Sequence, residues 1–461
     1  MTGGAAMGEG ARRGGGAPAS PAGDTVDGAR VRQRRDLAPP GSVAATLAPL
    51  VALLFGGEPP VRFAYWDGSE SGPDKSPGAV VLRSPDVLRR LVWSPDELGL
   101  ARSFVAGDLD VEGDLYATIR ALHEAAPSRV RLGPRSLGAA ARAAIGLGAI
   151  GLPLAPPPEE MTPARARRHS TGRDASAIHH HYDVGNDFYS LVLGPSMTYS
   201  CARFVDETAT LEQAQAAKHD LICRKLGLHE RPGARLLDVG CGWGSLALHA
   251  ASRYGASVVG ITLSREQAGL ARRRVEEAGL DGSVEIRLED YRSLGGESFD
   301  AISSVGMFEH VGTAQTARYF TTLRSLLGPG GRLCNHAIST PGGSTLEGRT
   351  FMNRYVFPDG ELIDVGEVVL AMERAGFEVR DVESLREHYA ATLRCWVDNL
   401  ERNWSDAVSL VGAARARIWR FYMAASANGF DDGGLGVHQV LGVVPSAGGE
   451  SGMPRTRLDW G

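Results

Sequence analysis

At 461 residues, with 43% hydrophobic and 22% charged side chains, the chain has the composition of a globular protein and the length for two or three domains. A formal charge of −5 gives no whole-protein attraction to nucleic acid. Five scattered cysteines, Cys201, Cys223, Cys241, Cys334 and Cys395, form neither a CxxC pattern nor an even set, which argues against a zinc site or disulfide framework and for a reducing cytoplasm.

Residues 1–40 are Gly, Ala, Pro and Arg with almost no large apolar side chains, a composition expected to stay disordered; no apolar run follows Arg12 and Arg13 that would make a secretory signal. Residues 41–128 read as a small α+β domain. Val61-Arg62-Phe63-Ala64-Tyr65-Trp66 alternates and meets Asp67-Gly68, a strand running into a turn. Residues 79–82 suggest a second strand, and 85–93 carry apolar residues at helical spacing. No stretch holds the ~20 uninterrupted apolar residues needed to span a bilayer: Val43–Phe55 is too short, and residues 137–154 are interrupted by Arg142. Both read as buried or interfacial helices. Residues 129–172 resemble a basic Pro/Ala-rich linker in which Pro156-Pro157-Pro158 stops any helix. Arg165, Arg167, Arg168 and Arg173 fit either a solvated connector or attraction to anionic headgroups, worth ~1 kcal/mol per basic residue.

Residues 173–461 alternate short β-type runs (235–239, 257–261, 284–288, 299–304, 331–336) with helical stretches (244–254, 265–278). That rhythm predicts an α/β, doubly wound parallel sheet with helices on both faces. The first strand runs into Asp238-Val239-Gly240-Cys241-Gly242-Trp243-Gly244. Glycines let the backbone turn tightly beside a ligand, and the following helix presents free N–H groups. The Asp-x-Gly-x-Gly form points to S-adenosylmethionine. The second strand ends Gly260-Ile261-Thr262-Leu263-Ser264 without the carboxylate that dinucleotide enzymes place there; Thr262 and Gln267 offer uncharged hydrogen bonds instead. Asp290, after the third strand, would accept from the adenine amino group or simply cap a helix.

These residues carry a resemblance. The chain resembles the cyclopropane-fatty-acyl-phospholipid synthases and, more distantly, the mycolic acid cyclopropane synthases. The likeness runs from His180-His181-Tyr182-Asp183-Val184-Gly185-Asn186 through Met197-Thr198-Tyr199-Ser200-Cys201, the glycine loop, Met307-Phe308-Glu309-His310-Val311-Gly312, Asn335-His336-Ala337-Ile338 and His388-Tyr389-Ala390-Ala391-Thr392-Leu393. It implies, over residues 173–461, a class I Rossmann-like methyltransferase domain with a mostly parallel seven-stranded sheet and helical lid insertions, preceded over residues 41–128 by a small α+β sterol-carrier-like lipid-binding domain. Tyr199 and Ser200 would close over the cofactor, with Asp238, Gly240, Gly242, Thr262, Ser264, Gln267, Asp290 and Tyr291 completing its contacts. A bicarbonate ion would sit among Cys201, Glu309, His336, Ile338 and Tyr389. Three of these have a plainer reading: Cys201 and Tyr389 as packing, Glu309 as a turn cap.

The implied reaction is transfer of a methyl(ene) carbon to the cis double bond of an unsaturated phospholipid acyl chain. An alkene is a weak nucleophile, so alignment with the sulfonium methyl is essential. The carbocation that results on the acyl chain must be kept from water and lose a proton to a base. Loss from the new methyl group closes a cyclopropane; the alternative outcome of the same alkene methylation is a methylene- or methyl-branched chain, completed by a separate reductase. Expected partners are membrane phospholipids met peripherally at the inner face of the membrane, with a homodimer and a flavin-dependent reductase as further candidates. Nucleic acid is not expected, because the loop after the fourth strand, Ser304-Val305-Gly306-Met307-Phe308, lacks the Asn/Asp-Pro-Pro-aromatic form. The run His179-His180-His181 has no convergent ligand pattern, and no metal is expected.

Overall fold

The computed structural model describes residues 41–125, 134–161, 184–345, 349–358 and 360–460. The expected disordered tail, the arginines at 165–173 and the histidine run at 179–181 lie outside the described residues.

The chain begins with α1 (Val43–Phe55), whose N-cap Ser42 accepts from the Ala45 N–H and which Gly56 ends at φ 70°. Strands β1 (Arg62–Ala64), β2 (Glu70–Ser71), β3 (Gly78–Leu82) and β4 (Leu109–Gly113) form a sheet in the order β2-β1-β3-β4. Helices α2 (Asp86–Trp93), α3 (Glu97–Ala106), α4 (Leu115–Ala125) and α5 (Pro134–Gly146) accompany it. The helix expected over 137–154 stops early. Gly148 turns left-handed at φ 70° and the Ala149 N–H bonds back to Ala144 O at 2.8 Å, a C-terminal closure of Schellman type. The following residues cross α2, where Trp93 Nε1 donates to Gly151 O at 3.0 Å and Arg89 Nε to Leu152 O at 2.8 Å.

The second half continues with α6 (Asn186–Leu193), α7 (Leu211–Lys225), β5 (Arg235–Val239), α8 (Ser245–Tyr254), β6 (Ser257–Thr262), α9 (Arg265–Glu277), β7 (Val284–Leu288) and β8 (Phe299–Val305). After α10 (Thr316–Ser325) come β9 (Leu327–Ser339), the small pair β10 (Ser344–Thr345) and β11 (Glu361–Leu362), α11 (Val365–Arg374) and β12 (Glu378–Ser384). Helices α12 (Arg386–Arg402), α13 (Trp404–Val411) and α14 (Ala413–Asp431) precede the last strand, β13 (Gly436–Val443). Seven strands form one sheet in the order β12-β13-β9-β8-β5-β6-β7. The pairings among β5 to β9 are parallel, and β13 is antiparallel to both neighbours. The chain thus has an α/β fold with the mostly parallel sheet that the strand rhythm predicted and the seven strands that the resemblance implied.

Alternation along the strands explains the layers. Leu236 and Val258 pack with Leu221, Ala247 and Ala271 on one face; the next residues, Leu237 and Val259, pack with Phe320 and Met372 on the other. Successive strand side chains point to opposite faces, so near-continuous apolar strands must be covered on both sides.

The N-terminal elements have a buried cluster of their own, in which Val43, Leu47, Val61, Tyr65, Val80, Leu82 and Val87 pack together, and they also share a second one with the rest of the chain. Leu98, Val105, Val111 and Leu115 belong to the same buried cluster as Phe188, Trp396, Trp419 and Phe430, and Ala38–Gly461 form one contact unit. Arg417 reaches Asp110 at 2.9 Å, and Asn428 Nδ2 donates to Tyr116 O at 2.9 Å. The end of the expected linker is also docked: Glu160 takes two bonds from Arg102, at 2.6 and 2.8 Å, and Met161 N donates to Arg354 O. Among the described residues no helix is long and apolar enough to cross a membrane.

Candidate active site

The order β8-β5-β6 puts the reversal of winding beside β5, where sheets of this kind open a crevice at the carboxyl ends of their strands. The glycine loop lies there. Gly240 and Gly242 adopt φ 76° and 56°, the left-handed region that a β-carbon penalises, and a β-carbon on Gly240 would sit 3.0 Å from the Met307 side chain. The N–H groups of Gly240 and Cys241 both donate to Ile261 O at 2.9 Å, which ties the loop to the end of β6.

The pocket around this loop takes Tyr199, Ser200, Asp238, Gly240 and Gly242 from the β5 side and the segment before α7. From the ends of β6 and β7 it takes Thr262, Gln267, Asp290 and Tyr291. Asp238 is buried and accepts from Ser303 Oγ at 2.9 Å; burial raises its carboxyl to about 6, against the pull of Ser303 and Lys218. Thr262 Oγ1 donates to Gln267 Oε1 at 2.7 Å, so the two uncharged residues expected at the end of β6 already hold each other. Asp290 lines the pocket and also caps the turn that follows, accepting from Arg292 N at 2.9 Å and from its guanidinium at 2.8 and 2.6 Å. Ser264 stands apart from the other nine: it is the N-cap of α9, accepting from the Gln267 N–H at 3.2 Å, and is not in the pocket wall.

The five residues expected around an anion lie on adjoining elements. β8 ends at Val305, opposite His336 of β9, so the Ile338 N–H meets no strand carbonyl on that side; Glu309 Oε1 accepts it at 2.7 Å. The other oxygen, Glu309 Oε2, is buried without a hydrogen-bond partner. Burial raises this carboxyl to about 7. His336, two residues before Ile338 on the same face of β9, is also buried; its Nδ1 meets Gln439 Nε2 at 3.2 Å while its Nε2 has no partner. Desolvation and the nearby lysines push the imidazole well below its usual range, so it is neutral. Across the sheet Val437 stands opposite Ile338 and accepts from the Leu385 N–H at 2.9 Å. Leu385 O in turn accepts from the Tyr389 N–H at 3.1 Å and the Cys201 thiol at 3.5 Å. Burial pushes the Cys201 thiol up, which keeps it protonated and unsuited to act as a nucleophile.

An aromatic wall joins the two halves. The Tyr199 ring packs 5.3 Å from Trp396 and 5.7 Å from Trp419, and its hydroxyl meets that of Tyr422 at 3.2 Å. Tyr389 packs 4.7 Å from Phe430.

Two site residues escaped the sequence reading. Lys218 lines the pocket with 1% of its surface exposed, and Gln439 holds His336. The available signal was that Lys218 and Gln215 share a helical face with Leu211, Ala214 and Leu221, positions that a helix turns toward its core.

A family model described as mycolic acid cyclopropane synthetase matches residues 169–440. The chain is 45% identical over 408 residues to a probable fatty acid methyltransferase of Mycobacterium tuberculosis, covering 86% of this chain and 94% of that one. It is 40% identical over 273 residues to the cyclopropane-fatty-acyl-phospholipid synthase of Escherichia coli, covering 59% of this chain and 68% of that one. Among solved structures it is similar to a mycolic acid cyclopropane synthase complexed with S-adenosylhomocysteine and CTAB, at a TM-score of 0.54 and 34% identity over 58% of this chain and 97% of the other.

Proposed function

The chain belongs to the mycolic acid cyclopropane synthetase family and is an S-adenosylmethionine-dependent methyltransferase, and on that premise we propose that its acceptor is the cis double bond of an unsaturated phospholipid acyl chain, which it converts to a cyclopropane with bicarbonate bound as the base. The observation that carries this reading is the pair of buried polar atoms without partners, Glu309 Oε2 and His336 Nε2, beside an aromatic wall. Buried polar groups are rarely left unsatisfied, and a small anion with several oxygens would satisfy both.

S-adenosylmethionine, when bound, supplies the methyl group, and bicarbonate supplies a base that would be held by Cys201, Glu309, His336, Ile338 and Tyr389. The protein's own groups make that possible. With its Nδ1 facing the Gln439 amide, His336 would carry its proton on Nε2 and donate it to the anion. Glu309, raised to about 7, is a carboxylic acid for much of the time at neutral pH and in that form donates rather than repels. Tyr199, Trp396, Trp419 and Tyr422 exclude water from the reacting carbon.

The route to a lipid surface would run through the N-terminal elements. Trp93 and Val92 at the end of α2, each 55% exposed, stand beside Leu152, at 79%, and Ile150, at 64%. Exposed apolar clusters of this kind mark interaction surfaces, and Arg89 at their edge suits an anionic headgroup.

A second reading has its own support: the Mycobacterium tuberculosis relative that matches most of the chain is named a fatty acid methyltransferase. The same site would then yield a methylene- or methyl-branched chain, finished by a flavin-dependent reductase. Expression in a host without such activity, with labelled methionine and NMR of the acyl chain, separates the two. Cyclopropyl protons support the first reading; vinylidene or methyl-branch signals replace it with the second.

A further inference from the structure

Helix α7 is stitched to the segment around Ser200 in the wall of the cofactor pocket. Gln215 Nε2 donates to Ser200 O at 2.9 Å, and one turn later Lys218 Nζ donates to Ser200 Oγ at 2.9 Å. Lys218 is buried, and among the described residues the Ser200 hydroxyl is its one hydrogen-bond partner, with no carboxylate within ion-pair distance. An ammonium has three protons to donate, and a buried one with two of them unused is costly unless something completes its shell. Of the other basic side chains in the pocket wall, the arginine, Arg292, is committed to Asp290. Lys218 and Asp238 therefore bring one positive and one negative buried group to the β5 side of the pocket, opposite the Thr262–Gln267 and Asp290–Tyr291 side.

We propose that Lys218 binds the α-carboxylate of the cofactor's amino-acid moiety, with Asp238 facing the α-ammonium, so that the two read the zwitterion while the β6 and β7 ends hold the adenosine. A ligand carboxylate would supply the acceptor the ammonium lacks, and Ser200 would be fixed between cofactor and lysine. The proposal rests on the cofactor occupying the glycine-loop pocket. Supporting it, burial lowers the Lys218 ammonium to about 7 in the free protein, against Asp238, which favours the charge. The other groups facing it are settled at mildly alkaline pH: His219 and His336 are held neutral and His249 is lowered by burial, Cys201 stays a thiol, and Asp238, near 6, is ionised.

The test compares S-adenosylhomocysteine with 5′-methylthioadenosine, which keeps the adenosine and lacks the amino acid. In isothermal titration of the full chain, Lys218→Met should weaken S-adenosylhomocysteine at least tenfold and methylthioadenosine less than twofold. Equal loss for both ligands, or no loss for either, overturns the proposal. Should the variant fail to fold, the wild-type protein still decides. At pH 7.5, titrations in buffers of different ionisation enthalpy should show net proton uptake with S-adenosylhomocysteine that methylthioadenosine lacks; identical proton counts overturn it. If neither ligand bound the wild-type chain, the failure would lie with the placement of the cofactor rather than with Lys218.

Discussion

Gln439 and His336 stand directly opposite each other in the β9–β13 pair, and the Gln439 amide nitrogen lies 3.2 Å from the imidazole Nδ1. The glutamine side chain is fully buried, so this contact sets which ring nitrogen carries the proton. Gln439→Leu keeps the volume and removes that control. It should lower kcat about tenfold with S-adenosylhomocysteine affinity unchanged, an effect of the size expected from one positioning hydrogen bond. Full kcat in a folded variant would detach Gln439 from the chemistry.

Glu309→Gln should preserve the bond to the Ile338 N–H, because the amide oxygen replaces Oε1, while removing the group that titrates. Turnover on unsaturated phospholipid vesicles should fall roughly 10²–10⁴-fold, the range for loss of a proton-handling group. Cofactor affinity should stay within twofold, since Glu309 is not in the wall of the cofactor pocket. Loss of affinity with unchanged turnover would place the residue wrongly.

The same carboxyl makes a stability prediction. Burial raises Glu309 from an ordinary value of 4.5 to about 7, so between those values the folded chain holds a proton that the unfolded chain has released. Stability therefore falls as pH rises through that window, by on the order of 3 kcal/mol, and stays low above it. Urea unfolding of wild type and Glu309→Gln at pH 5 and pH 8 isolates this contribution, because other groups cancel in the difference. The variant should gain about 2–3 kcal/mol relative to wild type on going to pH 8. A pH-independent difference would mean that Glu309 titrates like an exposed carboxylate.

Deleting the N-terminal 135 residues is a poor test of lipid access, because Leu98 and Leu115 pack into the core that also holds Trp396 and Trp419. Leu98→Ala alone should cost about 2–5 kcal/mol, as buried leucine truncations do, read as a lowered urea midpoint. The informative variant is the surface pair Trp93→Ser with Leu152→Ser. Sedimentation with anionic phospholipid vesicles should drop several-fold, while stability and binding of S-adenosylhomocysteine stay unchanged. Undiminished sedimentation would move the docking surface elsewhere.

The sequence by itself determined the sheet and the glycine loop, because both are local. Apolar runs such as Leu236-Leu237 demand cover on two faces, and a left-handed turn after β5 admits little but glycine at Gly240 and Gly242. It also gave the residue types at Glu309, His336 and Tyr389. Only the tertiary structure decided what surrounds them. Lys218 reads as an ordinary helix lysine until α7 is laid under Ser200. The Ser264 hydroxyl turns out to cap α9, and Leu98 and Leu115 of the N-terminal elements turn out to enter a core shared with Trp396 and Trp419. In each case the deciding quantity is burial, which depends on neighbours distant in the chain that no local spacing reveals.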